Sequence, residues 1–167
     1  MVVEDAVDRM VREWAERDPD LDVEPLQVVG RILVSAKEIE RILTEVVEPL
    51  GLSYADFDML NTLRRLGDQE GTHPGDLSRS LLITSGAITA RLDRLVRAGL
   101  VVRRADPVDR RAVRIRLTAK GERLAKRALD AVLAADEAIL VPFSARQRAG
   151  LASSLRRLAS HLEQDER

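Results

Sequence analysis

Cysteine is absent from this chain of 167 residues, which removes disulfides, thiolate zinc sites and thiol-based peroxide sensing from consideration. Histidine is scarce as well. His73 and His161 stand far apart and not at ligand spacing, so no metal site is expected. The aromatic residues are only Trp14, Tyr54, Phe57 and Phe143, so the core must be Leu, Val, Ile and Ala packed between helices. No apolar run nears the length that spans a bilayer, and the opening MVVEDAVDRM is too acidic for a secretory leader; the expectation is a cytoplasmic protein. Enzyme chemistry has no foothold either. There is no thiol, no His beside a Ser or a paired carboxylate, and no glycine-rich phosphate loop, so no cofactor is expected. Thr84-Ser85-Gly86 resembles a nucleophile turn only superficially, because no base lies near it in the sequence.

A net charge of −1 conceals an uneven distribution. Between Thr84 and Arg116 there are nine Arg and three Asp, so 9 − 3 gives +6, and the remainder must carry −7. All nine cations are Arg and none is Lys, which suits bidentate contacts to phosphates and base edges. Such a cluster is the electrostatic footprint of a protein that reads duplex DNA. The surrounding pattern agrees. One short helix is predicted to open at Pro74 and a second at Thr84-Ser85, where hydroxyls can cap exposed backbone N–H groups. The second carries Ile88, Leu92, Leu95 and Val96 on one stripe and stops at Gly99. Strand-like runs over Leu100–Arg104 and Ala112–Leu117 follow, joined by ADPVDRR, so the segment reads as helix, turn, helix and hairpin.

The segment TSGAITARLDRLVRAGLVVRRADPVDRRAVRIRLTAKG resembles the winged helix-turn-helix of the MarR family of bacterial transcription regulators. The likeness rests on TSGAxTxRxDRL and on a DPxDRR wing ahead of LTxxG, and it is detailed from about Gly51 to Leu124. It implies a mainly α fold, a winged helix-turn-helix with a helical dimerisation layer and a two-stranded β wing. It also implies one domain over 1–167, in which 51–117 form the DNA-binding lobe while 1–50 and 118–167 supply the dimerisation region. The expected partners are a second copy of the chain and a pseudo-palindromic operator with half-sites one helical turn apart.

The remaining segments are predicted to be helical. Val7, Met10, Val11 and Trp14 repeat as one face of a helix over about Glu4–Arg17, with Trp14 expected to anchor it to the body. This helix is an addition to the shortest architecture of the family. Glu24-Pro25 opens a longer helix whose apolar stripe exceeds what a small monomer can cover, so part of it should face a second subunit. Ser53 caps a helix to about Leu66, with Phe57, Leu60, Leu63 and Leu66 inward. Thr118 starts a long helix ended by Pro142, and another runs from Ser144 with Leu151, Leu155, Leu158 and Leu162.

Ser85, Thr89 and Arg94 are the candidates for reading bases or positioning phosphates from the second helix. By resemblance, Arg111 matches the wing-tip arginine that enters the minor groove and Asp109 the acid that orients it, with Arg110 beside them. Trp14, Asp58, Arg91 and Arg103 match, position by position, a ligand-binding set in the urate-responsive subgroup of the family. Urate is a flat anion with N–H donors and carbonyl acceptors, which suits arginine, a carboxylate and an indole. A purely structural alternative makes Trp14 core, pairs Asp58 with Arg91 or Arg103, and leaves the two arginines to phosphate. The expected function is a dimeric repressor released from DNA by a small anion such as urate. The alternatives are a tricarboxylate (citrate or trans-aconitate) or a phenolic effector, and a DNA-binding protein with no effector.

Overall fold

The computed structural model describes residues 4–67, 70–81, 88–109 and 112–165. Helix α1 (Ala6–Arg17) starts at Asp5, whose carboxylate accepts the N–H groups of Val7 and Asp8, both at 2.8 Å, while Asp8 accepts from Asp5 at 3.0 Å. This reciprocal cap satisfies donors that the first turn leaves without helical partners. Arg31 of helix α2 (Glu24–Val47) donates to Asp5 at 2.8 Å and also pairs with Asp8, so the start of α1 is clamped to α2. Val7 is buried beneath that clamp. The expected anchor, Trp14, is instead 44 % exposed. Burial fades along the α1 stripe because the ion pairs hold its first turn, not its last.

A 3-10 turn at Glu48–Leu50 and Gly51 carry the chain into helix α3 (Tyr54–Leu66). Ser53 and Asp56 form the cap of α3 as a second reciprocal pair. Helix α3 is the centre of the molecule, packing on α2, on helix α4 (Pro74–Ser80), on strand β2 (Val113–Leu117) and on helix α6 (Ala119–Ile139). Met59 and Leu60 are fully buried, and Leu63 nearly so. Leu66, expected inward, is 37 % exposed, since the helix ends there at Gly67.

Helix α5 (Ile88–Arg97) buries Leu92 and Leu95, as the periodicity required, and is followed by Gly99 in the left-handed region. Strand β1 (Val101–Ala105) pairs antiparallel with β2, from Val101 opposite Leu117 to Ala105 opposite Val113. Each strand starts one residue later than the sequence pattern suggests, and β1 also ends one residue later, at Ala105. Thr72 adds an edge bridge, exchanging backbone hydrogen bonds of 2.9 and 2.8 Å with Ile115. Helix α6 enters the core so closely that a Cβ on Gly121 would stand 2.0 Å from the Leu100 carbonyl oxygen. Helix α7 (Ala145–Asp165) folds back under a double hydrogen bond from Arg148 to Glu137, at 2.7 and 2.8 Å.

The result is the mainly helical architecture with a two-stranded wing that the sequence led us to expect. Leu43 and Val47 of α2 and Ala128 and Val132 of α6 share one core with the winged segment. Val28, Val29, Leu33 and Val34 of α2, Leu133 of α6, and Leu151, Leu155 and Leu162 of α7 are exposed apolar residues. No helix among the described residues is long and apolar enough to cross a membrane.

Candidate nucleic-acid interface

Helix α4, held by fully buried Leu77, and helix α5 are the two helices of the expected helix-turn-helix. Thr89, one of the DNA-contact candidates, is exposed on the first described turn of α5. Ser85, Arg110 and Arg111 lie outside the described residues, as does the expected helix opening at Thr84-Ser85.

Arg94 is half-exposed, yet one of its guanidinium nitrogens rests on the buried carboxylate of Asp56 in α3. Arg91 comes to the same oxygen, with Nε 3.9 Å from Asp56 Oδ1, and only 15 % of its side chain is exposed. The other oxygen of Asp56 accepts the N–H of Ser53 at 3.2 Å. One carboxylate therefore completes the cap of α3, accepts a hydrogen bond from Arg94 and has the charge of Arg91 close by, beyond hydrogen-bond distance. Sequence reasoning did not single out Asp56. Its spacing from Ser53 marks a cap, but nothing local reports that the arginines come from 35 and 38 residues downstream.

Arg103 of β1 donates to Asp93 of α5 at 2.7 Å, so the wing strand is also bound to the reading helix. Asp58 is buried and lines an open groove of about 650 Å3 between α3 and the end of α4, with Thr62, Arg65, Arg79 and Leu81. The four ligand candidates are thus spread over α1, α3, α5 and β1. Arg91 and Arg103 each secure α5, Asp58 sits at a different groove, and Trp14 stands on the exposed part of α1.

The wing has its own buried joint. Asp106 accepts the N–H groups of Val108 at 2.7 Å and Asp109 at 2.9 Å, and it receives the guanidinium of Arg114. Those backbone N–H groups, chiefly that of Asp109, together with Arg114, hold the Asp106 carboxyl down at about 2. His73 Nε2 lies 3.3 Å from the same carboxylate, and Arg114 also donates to the Gly71 carbonyl at 3.0 Å. Asp109 is exposed, and its carbonyl accepts the N–H of Ala112 at 2.9 Å, closing the described part of the turn. His73, Asp106 and Arg114 thus fix the wing to the segment leading into α4. In the sequence Asp106 is simply part of the ADPVDRR connection, and nothing local there reports its partners Arg114 and His73.

Residues 50–112 match the model of the MarR family. Across 93 % of this chain and 94 % of the relative, the sequence is 37 % identical to the HTH-type transcriptional regulator PecS of Dickeya dadantii. It is 34 % identical to the HTH-type transcriptional repressor Mb2911 of Mycobacterium bovis, over 71 % of this chain and 83 % of that one. The fold superposes with a TM-score of 0.70 on a mutant MarR from E. coli complexed with operator DNA, at 27 % identity over 87 % of this chain and 96 % of that one. The chain belongs to the MarR family of transcriptional regulators.

Proposed function

We propose that the protein is a homodimeric repressor that binds a pseudo-palindromic operator and leaves it when a small anion of the urate class reaches the reading helix. The observation that carries this is the position of Arg91: a cation of α5 kept among protein groups beside the buried Asp56 carboxylate, not displayed to solvent. An anion arriving at Arg91 would compete with Asp56 and be repelled by it. Either effect loosens α5 from α3 and changes the geometry offered to DNA. Arg103, bonded to Asp93 of the same helix, gives the ligand a second lever. Asp58, buried two residues from Asp56, is the proposed acceptor for a ring N–H, and Trp14 the outer wall supplied by α1.

Duplex contact is assigned to Ser85, Thr89 and Arg94 on the reading helix and to Asp109, Arg110 and Arg111 at the wing. Arg94 has donors enough for Asp56 and a phosphate together. The exposed apolar residues of α2, α6 and α7 support a dimerisation layer built from 1–50 and 118–167, with 51–117 as the DNA-binding lobe.

The test is fluorescence anisotropy on a duplex selected from a random pool by the purified protein. Added urate should lower operator affinity in the native chain and do less in Asp58→Ala and Arg91→Gln. A response to citrate or trans-aconitate without one to urate would transfer the site to tricarboxylates. Operator binding indifferent to all of these, and to phenols, would leave an effector-independent DNA-binding protein.

A further inference from the structure

The lysines of the chain are Lys37, Lys120 and Lys126, all exposed, and their surroundings differ. On α2, Lys37 stands beside Glu38 and three residues before Glu40, and the neighbouring Arg41 is spent on Glu38 and Glu45. On α6, Lys126 has Glu122 four residues before it and Asp130 four residues after, the spacing at which helical side chains are neighbours. Lys120 has no acid so placed. It lines an open groove of about 440 Å3 between the end of α5 and the first turns of α6, with Arg123 and Arg127 as the other charged residues and Leu50, Leu100 and Leu124 as the apolar floor. Glu122 faces away and pairs with Arg64. Among the described residues, Arg123 and Arg127 form no ion pair, in a chain whose other arginines repeatedly do.

We infer that Lys120 is a modification site, acylated directly by small acyl phosphates, the mixed anhydrides of a carboxylic acid with phosphoric acid. Lys120, Arg123 and Arg127 fall at i, i+3 and i+7, on one face of α6. An acyl phosphate carries its charge on the phosphate and its reactive carbon next to it. Two guanidinium groups one turn apart suit the phosphate, and the leucine floor suits the acyl chain. A groove lined by charge of one sign also concentrates the opposite ion. The reagent's carbonyl is thereby brought into the groove that Lys120 lines.

The step is acyl transfer to nitrogen. Lys120 Nζ, as the neutral amine, attacks the carbonyl carbon and an N–C bond forms. The C–O bond to phosphate breaks, inorganic phosphate leaves with that electron pair, and the surplus proton on nitrogen passes to water. No oxidant or reductant enters. In the unmodified chain Nζ donates to the Ala98 carbonyl at 2.9 Å, which holds the amine at the junction of α5 and α6. The amide product retains one N–H for that carbonyl, but the positive charge at the negative end of α5 is removed.

The experiment treats the full chain with acetyl phosphate and, separately, with the uncharged donor N-acetoxysuccinimide, and reads initial acetylation rates at Lys37, Lys120 and Lys126 by peptide mass mapping. Acetyl phosphate should label Lys120 at least about fivefold faster than either other lysine, whereas the uncharged donor should favour it by less than about twofold. Ionic strength of about 1 M, where the screening length is about 3 Å, should remove most of the preference. The Arg123→Gln/Arg127→Gln variant should bring Lys120 down to the rate of the other two. Uniform labelling by acetyl phosphate overturns the site. Equal preference with the uncharged donor, or a preference that survives high salt or the double Gln variant, overturns the recruitment by the arginines. The comparison of donors uses the native chain, so it decides the matter even where the variant fails to fold. Neither a response to urate nor its absence bears on these outcomes, so the two proposals stand or fall separately.

Discussion

Arg114 of β2 donates through Nε to the buried carboxylate of Asp106 and through Nη1 to the Gly71 carbonyl, so one side chain fastens the wing turn to the segment entering α4. A wing proposed to place an arginine in a groove needs such a rigid root, because a displaced contact group loses its hydrogen-bond geometry.

Replacing Arg114 with Met keeps much of the side-chain volume and removes the joint. Operator affinity is expected to drop roughly tenfold, the scale of one lost charged contact, while α-helical circular dichroism stays as in the native protein. Anisotropy titration at fixed salt measures it. An unchanged affinity would show that the wing holds its course without this root.

Asp106 also predicts an acid limit. Its carboxyl lies at about 2 in the fold against an ordinary 3.8, so the folded state binds its proton less readily than the unfolded chain. That contribution to stability is complete above the ordinary value and is lost as pH falls through about 2. Urea midpoints measured between these limits should decline less steeply with falling pH in Asp106→Asn than in the native chain.

Asp56→Ala removes the carboxylate half of the reciprocal cap of α3, leaving the Ser53 hydroxyl on the backbone N–H of residue 56, and removes the acceptor of Arg94. A whole N-cap is worth about 1 kcal/mol, so the lost half contributes no more than that, and the loss of the charged hydrogen bond adds to it. Asp56→Ser keeps a capping oxygen but cannot span to both arginines. It should regain part of the thermal stability without regaining any effector response, which separates the two duties of this carboxylate.

Gly121→Ala tests the close approach of α6 to the wing. The new methyl would fall 2.0 Å from a backbone oxygen, which has no freedom to step aside. Overpacking of this kind costs about 1–3 kcal/mol or more, read as a lowered urea midpoint.

Leu33 is 65 % exposed on α2, within the stripe proposed to meet a second subunit. Leu33→Glu should convert the dimer to monomer in sedimentation analysis and cut operator affinity by at least about tenfold, since two half-sites would no longer be read together. A monomeric native protein would refute the layer outright.

Periodicity sufficed for the helices because each carries an apolar face written at 3.6-residue spacing, buried in α2 to α6 and left exposed along α7. Leu92 and Leu95 of α5, the Ser53 cap of α3 and the hairpin after Gly99 could all be located that way. The same rule misplaced Trp14 and Leu66, since a stripe says which residues share a face but not how far a neighbouring helix covers it. The charge cluster identified the helix and the hairpin, yet assigning partners was beyond it. Arg94 and Arg91 meet Asp56, Arg103 meets Asp93, and Arg114 meets Asp106.

What the amino-acid order determined unaided was the kind of protein: the helix succession, the wing and the concentration of arginine, all set by interactions within a few residues and by composition. Which carboxylate holds which arginine was decided only when α3, α5 and the wing packed together. Ion pairing depends on distance in space, and residues as far apart in the chain as Asp56 and Arg94 become neighbours solely through the core between them.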